Sequence, residues 1–377
     1  MGAHDLTSIL DRAKETRQAL SRDELAYLIS LRSPAETKAL HDAAYEVKVR
    51  HSGKVVNLRG IIEMGNICAK DCYYCGIRKG NENTERFELD EPTILRAVQR
   101  NIDLHYGSIV LQSGEIESEK HTAFIERILR KLGEMSNGKL GVTLSLGEQS
   151  LETYARWREA GAHRYLLRIE TTNRELYSLL HPASHSFDRR VECLKALRRC
   201  DYQVGSGVMS GLPGQTCDDL AADIIFMRDM DIDMIGMGPY IPHHDTPLGR
   251  GIPFTPEYAA DHLCLGLNMI SAARLFLHDV NIASTTALQA LADDGRELGV
   301  MAGANVIMPN ITDTEYRRSY QLYENKPCVD DNSEQSRDSL VERLARIGER
   351  IGWDSQGTSP HYTARKLLSS ASTCSHN

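Results

Sequence analysis

The sequence predicts an α/β protein, a (β/α)8 TIM-type barrel with an N-terminal helical extension. Two observations carry this. Eight short apolar strand candidates recur from about residue 57 onward, and helical patterns alternate with them. The chain has 377 residues, 41% hydrophobic and 25% charged, which suffices for one large barrel and excludes disorder for its bulk.

Ahead of the barrel, residues 5–16, 22–31 and 34–52 have helical periodicity and no strand signal. Ser21 before Asp23 and Glu24, and the run Ser33-Pro34-Ala35-Glu36, carry the cap, proline and early acids that start helices. Strands are expected at 57–63, 107–113, 140–145, 164–169, 202–208, 233–237, 280–285 and 304–308. Helices are expected at 91–104, 120–136, 148–160, 173–180, 188–200, 216–230, 256–276 and 287–301. Strands this short and apolar suit a parallel sheet whose outer face helices cover. An open doubly wound sheet is the alternative, but the second strand does not run into the GxGxxG turn of a dinucleotide fold. The expected division is N-terminal helices over 1–54, barrel over 55–312, a C-terminal extension closing the barrel over 313–357, and a disordered Ser- and Thr-rich tail over 358–377.

A net charge of −8 gives no footprint for nucleic acid. The first ten residues include Asp5 and no long apolar run, position 6 is Leu rather than Ser or Thr, and Ser375 and His376 spoil a prenylation box at Cys374. No apolar run approaches the ~20 residues of a membrane span. A cytoplasmic protein with reduced thiols is expected, and nine cysteines, an odd number, cannot all pair.

A barrel enzyme works from the C-terminal ends of its strands. Polar residues gather there: Gln112, Ser113 and Glu115 after the second strand; Thr143, Ser145 and Glu148 at the third; Arg168 and Glu170 at the fourth; Thr285 and Thr286 at the seventh; Asn310 after the eighth. The strongest signal follows the first strand: Cys68-Ala-Lys-Asp-Cys72-Tyr-Tyr-Cys75, a C-x3-C-x2-C run in a polar loop. Thiolates suit iron–sulfur clusters or zinc. Structural zinc wants four ligands, and no fourth Cys or His is near in sequence, His51 and His105 being the nearest candidates. A 4Fe–4S cluster on three cysteines leaves one iron open to a cofactor or substrate.

This run resembles the cluster motif of the radical S-adenosylmethionine (SAM) superfamily, including the aromatic Tyr74 before the third cysteine. The resemblance implies that the open iron chelates the amino and carboxylate groups of SAM and that one electron then cleaves its S–C5′ bond to a 5′-deoxyadenosyl radical. The span from about Val55 to Cys328 further resembles the HydE family, FeFe-hydrogenase maturases. The runs that carry it include GIIEMGNICAKDCYYCGIRKGN (60–81), SIVLQSGE (108–115), VTLSLGE (142–148), RYLLRIET (164–171), DMIGMGPYIPHHDTPL (233–248), NIASTTAL (281–288), GANVIMPN (303–310) and YQLYENKPC (320–328).

By that resemblance, Cys68, Cys72 and Cys75 hold the cluster. Tyr74, Gln112, Ser113, Gly114, Glu115, Ser145, Glu170, Arg190, Met234 and Tyr320 line the SAM site, with Arg190 suited to a carboxylate. Thr143, Arg168, Thr285, Thr286 and Tyr323 wall the substrate cavity, and Arg59, pointing inward from the first strand, adds positive charge. The implied cofactors are one 4Fe–4S cluster and SAM. The implied partners are HydG as donor of an iron complex bearing cysteine, carbon monoxide and cyanide, HydF as scaffold, and a ferredoxin or flavodoxin as reductant. Many HydE sequences carry two further cysteines, eight and eleven positions after the one ending the YQLY run. Here Ser336 and Ser339 stand there and Cys328 is left alone, so no accessory cluster is expected.

Other readings coexist with these. Arg168 and Glu170 suit a structural ion pair, Met234 a core position, and Thr285-Thr286 β-branched strand filler. The Gly211-Leu-Pro-Gly214 run reads as a strand-to-helix turn, and the adjacent His243 and His244 as loop residues pointing apart. In function, a mutase or lyase on a free amino acid, of the methylornithine-synthase or biotin-synthase kind, would use the same Arg-lined cavity. A non-catalytic metal carrier would use the three cysteines alone.

Overall fold

The computed structural model describes residues 5–324, 326–327 and 333–374. Three helices lead: α1 (Leu6–Glu15), α2 (Arg22–Ser30) and α3 (Pro34–Ser52). The Ser21 hydroxyl accepts from Glu24 N–H while the Glu24 carboxylate accepts from Ser21 N–H, a capping box that starts α2. Pro34 sits in the first turn of α3, where its missing N–H costs nothing.

The barrel then runs β1 (Val55–Gly65), α4 (Glu91–Asp103), β2 (Ser108–Ser113), α5 (Glu119–Ser136), β3 (Gly141–Ser145), α6 (Leu151–Glu159), β4 (Arg164–Leu166), α7 (Arg174–Leu180), α8 (Phe187–Arg199), β5 (Gln203–Ser206), β6 (Met209–Ser210), α9 (Cys217–Asp229), β7 (Met234–Ile235), β8 (Gly238–Pro239), α10 (Pro256–Leu277), β9 (Asn281–Ser284), α11 (Thr286–Leu291), α12 (Gly295–Met301) and β10 (Val306–Ile307). After it come α13 (Thr314–Arg317), α14 (Ser333–Arg346), β11 (Arg350–Ile351) and α15 (Pro360–Cys374).

Eight parallel strands, β1-β2-β3-β4-β5-β7-β9-β10, close when β10 pairs back onto β1 through Asn57 with Val306 and Leu58 with Ile307. Each expected strand is present. Two are interrupted: β5 resumes as β6 and β7 as β8, and these pair with each other. The break falls where a Cβ on Gly207 would land 2.0 Å from the Gly236 carbonyl, so the two backbones touch. The helix expected at 287–301 is likewise split, into α11 and α12.

Outside the strands, Trp157 on α6 is fully buried, donates to the Thr122 carbonyl at 3.0 Å and stacks on Tyr165 with centroids 6.4 Å apart. The two extensions are joined to each other: Lys48 of α3 and Glu349, both fully buried, pair at 2.6 Å, and Tyr45 donates to the same carboxylate at 2.7 Å. Removing either partner of such a pair would leave an uncompensated buried charge, at a cost of about 3–5 kcal/mol.

The tail corrects an expectation. Residues from 358 read as disordered, yet Pro360–Cys374 form α15. His361 pairs with Asp231 at 2.6 Å, and Arg365 meets Asp231 at 2.7 Å and Asp233 at 2.9 Å. Hydrogen bonds donated to the Asp231 and Asp279 carboxylates raise the His361 pKa to about 9. These partners lie over 80 residues away in sequence, so local composition could not reveal them. Between β11 and α15, the segment around Gln356–Ser359 plugs the N-terminal end of the barrel. Arg164 donates to the Gln356 carbonyl at 2.7 Å, and Arg59 and Asn281 donate to the Gly357 carbonyl at 3.0 and 2.8 Å. No helix among the described residues is long and apolar enough to cross a membrane.

Candidate active site

At the other end of the barrel, the strand ends surround a cavity of about 330 Å³. Cys68, Cys72 and Cys75 all face it from the loop after β1. That loop is held by polar side chains whose role was not legible in the motif. Asn66 donates to the Glu85 and Ser319 carbonyls at 2.7 and 2.6 Å and accepts from Phe87 N–H at 2.9 Å. Arg86 binds four carbonyls, of Asn66, Ile77, Arg78 and Asn81, at 2.6–2.9 Å. Asp71 pairs with Arg78 at 2.5 Å and accepts from Gly80 N–H at 2.9 Å. The turn itself closes through Cys75 N–H to the Cys72 carbonyl at 3.2 Å.

The loop also fits closely against its neighbours. A methyl at Gly114 would lie 2.2 Å from the Ile67 carbonyl, and one at Gly76 would lie 2.0 Å from the Gln321 carbonyl. Glu115 N–H donates to Cys68 Sγ at 3.3 Å. Burial raises the pKa of all three thiols, that of Cys72 to about 12. Burial disfavours the bare thiolates, and coordination to a metal, which binds the thiolate, removes that cost. Three soft donors in one turn, facing a cavity and with no fourth protein ligand beside all three among the described residues, fit a 4Fe–4S cluster with an open iron.

Beside the loop lies a charged knot. Glu148, 1% exposed in its side chain, pairs with Arg190 at 2.7 Å, Lys70 at 2.8 Å and Arg189 at 3.4 Å. Burial works against its charge, but Arg190 and Lys70 outweigh it and bring its pKa down to about 2. Glu115 pairs with Lys70 at 3.2 Å and accepts from Glu148 N–H at 2.8 Å, though burial keeps its pKa raised. Glu170 faces the cavity from a left-handed backbone, φ 67, and pairs with Arg168 at 2.9 Å. Burial raises its pKa against the pull of Arg168 and Arg190. A non-glycine residue in that conformation costs about 1–3 kcal/mol and is concentrated at functional sites.

Most of the residues singled out from sequence meet at this cavity: Tyr74, Gln112, Ser113, Gly114, Glu115, Ser145, Arg168, Glu170, Arg190, Thr285, Thr286, Tyr320 and Tyr323 line it with the cysteines. Gln112 donates to the Tyr320 hydroxyl at 3.2 Å, and Thr286 shares a hydrogen bond with Tyr323 at 2.8 Å. The expected ion pair of Arg168 and Glu170 exists, and both partners remain on the cavity wall. Arg190 already binds a carboxylate of the chain, that of Glu148.

Three residues are corrected. Arg59, Thr143 and Met234 do not line the cavity. They lie inside the barrel but one layer lower: Arg59 pairs in register with Ser108, the first residue of β2, Thr143 with Arg164, the first of β4, and Met234 opens β7. Arg59, fully buried, touches the Met234 sulfur and is directed to the plug at Gly357. Side chains two residues apart share a strand face, so Ile61 and Glu63 reach the cavity where Arg59 cannot. His243 and His244 are also corrected: their rings stack, with centroids 4.9 Å apart, and His244 contacts Glu324.

The sequence reading missed Glu63 and Lys326. Glu63 accepts from Asn310 at 3.0 Å and pairs with Lys326, which also donates to the Tyr320 carbonyl at 2.8 Å. A lone acid on the inward face of an apolar strand was the available signal for Glu63; nothing local marked Lys326. The accessory-site residues Cys328 and Ser336 lie outside the residues whose side chains are described. Cys68, Cys72, Cys75, Cys193, Cys200, Cys217 and Cys264 are unpaired thiols.

A closed barrel with a three-cysteine loop at its catalytic end defines a radical SAM enzyme, and comparison agrees. The model of the Radical SAM superfamily matches residues 62–227. The FeFe hydrogenase maturase subunit HydE of Thermotoga maritima is 39% identical over 341 residues, 90% of this chain and 94% of that protein. The 3-methylornithine synthase of Methanosarcina acetivorans is 25% identical over 354 residues, 92% and 95% of the two chains. In solved structures, methylornithine synthase superposes with a TM-score of 0.79 at 24% identity, covering 92% of this chain and 98% of that one. The hydrogenase maturase HydG superposes with a TM-score of 0.76 at 17% identity, covering 93% and 77%. At those identities the superpositions show a shared fold. The chain belongs to the HydE family of radical SAM enzymes and uses a 4Fe–4S cluster and SAM.

Proposed function

We propose that this chain serves assembly of the diiron site of FeFe hydrogenase, acting on an iron complex with cysteine, carbon monoxide and cyanide ligands. In this reading HydG delivers the substrate, HydF receives the product, and a ferredoxin or flavodoxin supplies the electron. The observation that carries it is the 39% identity to HydE across 90% of the chain. When bound, the cluster and SAM supply a one-electron reductive cleavage that yields the 5′-deoxyadenosyl radical.

The chain's own share is to hold, orient and enclose. Cys68, Cys72 and Cys75 would hold the cluster. The backbone of Ser113, Gly114 and Glu115 would receive the amino-acid end of SAM, since Gly114 lets that turn approach the cysteine loop. Glu148, bridging Lys70 and Arg190, keeps loop and wall in fixed relation. Arg168 presents a guanidinium to the cavity, and Thr285, whose buried hydroxyl lacks a hydrogen-bond partner among the described residues, lines the same cavity. That pair suits an anionic substrate. Tyr320, Leu322 and Tyr323 line the cavity and would help keep water from a reactive radical.

A second reading, a radical SAM enzyme acting on a free amino acid, draws on the similarity to methylornithine synthase over 92% of the chain. One experiment separates the two. In a maturation mixture containing HydG, HydF and apo-hydrogenase but no HydE, adding this chain should restore hydrogen evolution. If it does not, while the chain still cleaves SAM when given free amino acids, the amino-acid reading stands instead.

A further inference from the structure

The turn between α7 and α8 brings two imidazoles to the cluster loop. His185 N–H donates to the Pro182 carbonyl at 2.9 Å, closing the turn, and Ser186 caps α8 by accepting from Arg189 N–H. Cys72 Sγ, one ring nitrogen of His181 and one of His185 all lie within 4.8 Å of one another. With Cys72 committed to the cluster, only two imidazoles remain, too few for a separate metal site. Their effect falls on the thiolate.

The two rings differ in what they offer it. His181 Nδ1 is 2.9 Å from the Tyr177 carbonyl, which can only accept, so Nδ1 carries the proton and Nε2 is a lone pair. That Nε2 is buried without a partner among the described residues, and it cannot donate. In His185, Nε2 accepts from Asp71 N–H at 3.4 Å, so the proton is on Nδ1. Nδ1 lies 3.9 Å from Cys72 Sγ. The donor is well placed, because Asp71 is itself tied to Arg78 and Gly80 and precedes Cys72 directly.

We propose that His185 is a positioning residue for the cluster: its Nδ1–H donates to the Cys72 thiolate and raises the cluster's reduction potential. The sign follows from charge. Reduction adds an electron to a cluster already held by thiolates, and a hydrogen bond to sulfur stabilises the more negative form. The cluster would thereby be easier to reduce by the same donor.

The proposal rests on Cys72 being a cluster ligand, and the test keeps the two failures apart. His185→Leu and His185→Gln are reconstituted anaerobically and iron is counted. A wild-type protein that takes up no cluster would defeat the ligand assignment, not the hydrogen bond. In loaded protein, an EPR-monitored redox titration should show His185→Leu with about a tenfold smaller reduced-to-oxidised ratio at fixed potential, ~59 mV lower for one electron. His185→Gln, which keeps an N–H donor, should stay nearer the wild type. An unchanged midpoint in His185→Leu, or equal shifts in both variants, overturns the proposal. If the leucine variant does not load, wild-type protein labelled with 15N-histidine decides: one imidazole nitrogen should show hyperfine coupling to the reduced cluster, and its absence overturns the proposal.

Discussion

Replacing Cys72 with serine should leave a folded barrel that binds little iron and cleaves no SAM. Serine supplies a hard hydroxyl where the cluster needs a soft thiolate. Two remaining cysteines do not retain a cluster whose three protein ligands come from one turn. Iron should fall from about four per chain, the count expected for a single 4Fe–4S cluster, to below about one. 5′-Deoxyadenosine should not exceed the enzyme-free background. The thermal unfolding midpoint of cluster-free protein should scarcely move, because Cys72 is half-buried in a loop that Asn66, Arg86 and Asp71 hold without it. Undiminished cleavage by Cys72→Ser would show that the thiol does not hold the cluster.

The second large effect belongs to Glu148. Replacing it with glutamine leaves buried Arg190 without its carboxylate and Lys70 with Glu115 alone. Breaking a buried pair by removing one partner costs about 3–5 kcal/mol. Denaturant midpoints should therefore drop clearly at pH 7. SAM turnover should fall about 10–100-fold, as for other groups that orient ligands from behind. The pH dependence carries a definite sign. In the folded chain the Glu148 pKa is lowered from 4.5 to about 2. Its stabilisation is fully present above the unfolded value and disappears as pH falls through the folded one. The stability gap between wild type and Glu148→Gln should hold from pH 7 to about 5 and close between about 4.5 and 2. A gap that persists unchanged at pH 2 would show that the loss is steric and not electrostatic.

The barrel was readable because its evidence is local and repeated. Each strand is a short apolar run, and each helix carries its own period and cap, so β1 to β3 and α3 to α5 appear within a residue or two of expectation. The cysteine loop was readable because its ligands fall within eight residues. What stayed hidden depends on distance along the chain. Glu63 meets Lys326, and α15 docks on Asp231 and Asp233, through contacts that no window of sequence contains. Depth within the barrel was hidden as well. Arg59 and Thr143 point inward as expected, but whether an inward residue meets cavity or plug depends on its layer, which strand register sets. Glu148 stood at the end of the third strand as one polar residue among several; its place as the hub of three cations emerges only when α8 and the cysteine loop converge on it.

Reductive cleavage of SAM by the reconstituted wild-type chain tests the account most directly. Loaded anaerobically with iron and sulfide and reduced with dithionite, the protein should hold about four iron and four sulfide per chain. It should then release 5′-deoxyadenosine and methionine from SAM in equal amounts. A chain that instead takes up zinc, or that holds a full cluster and yields no 5′-deoxyadenosine, would contradict the account.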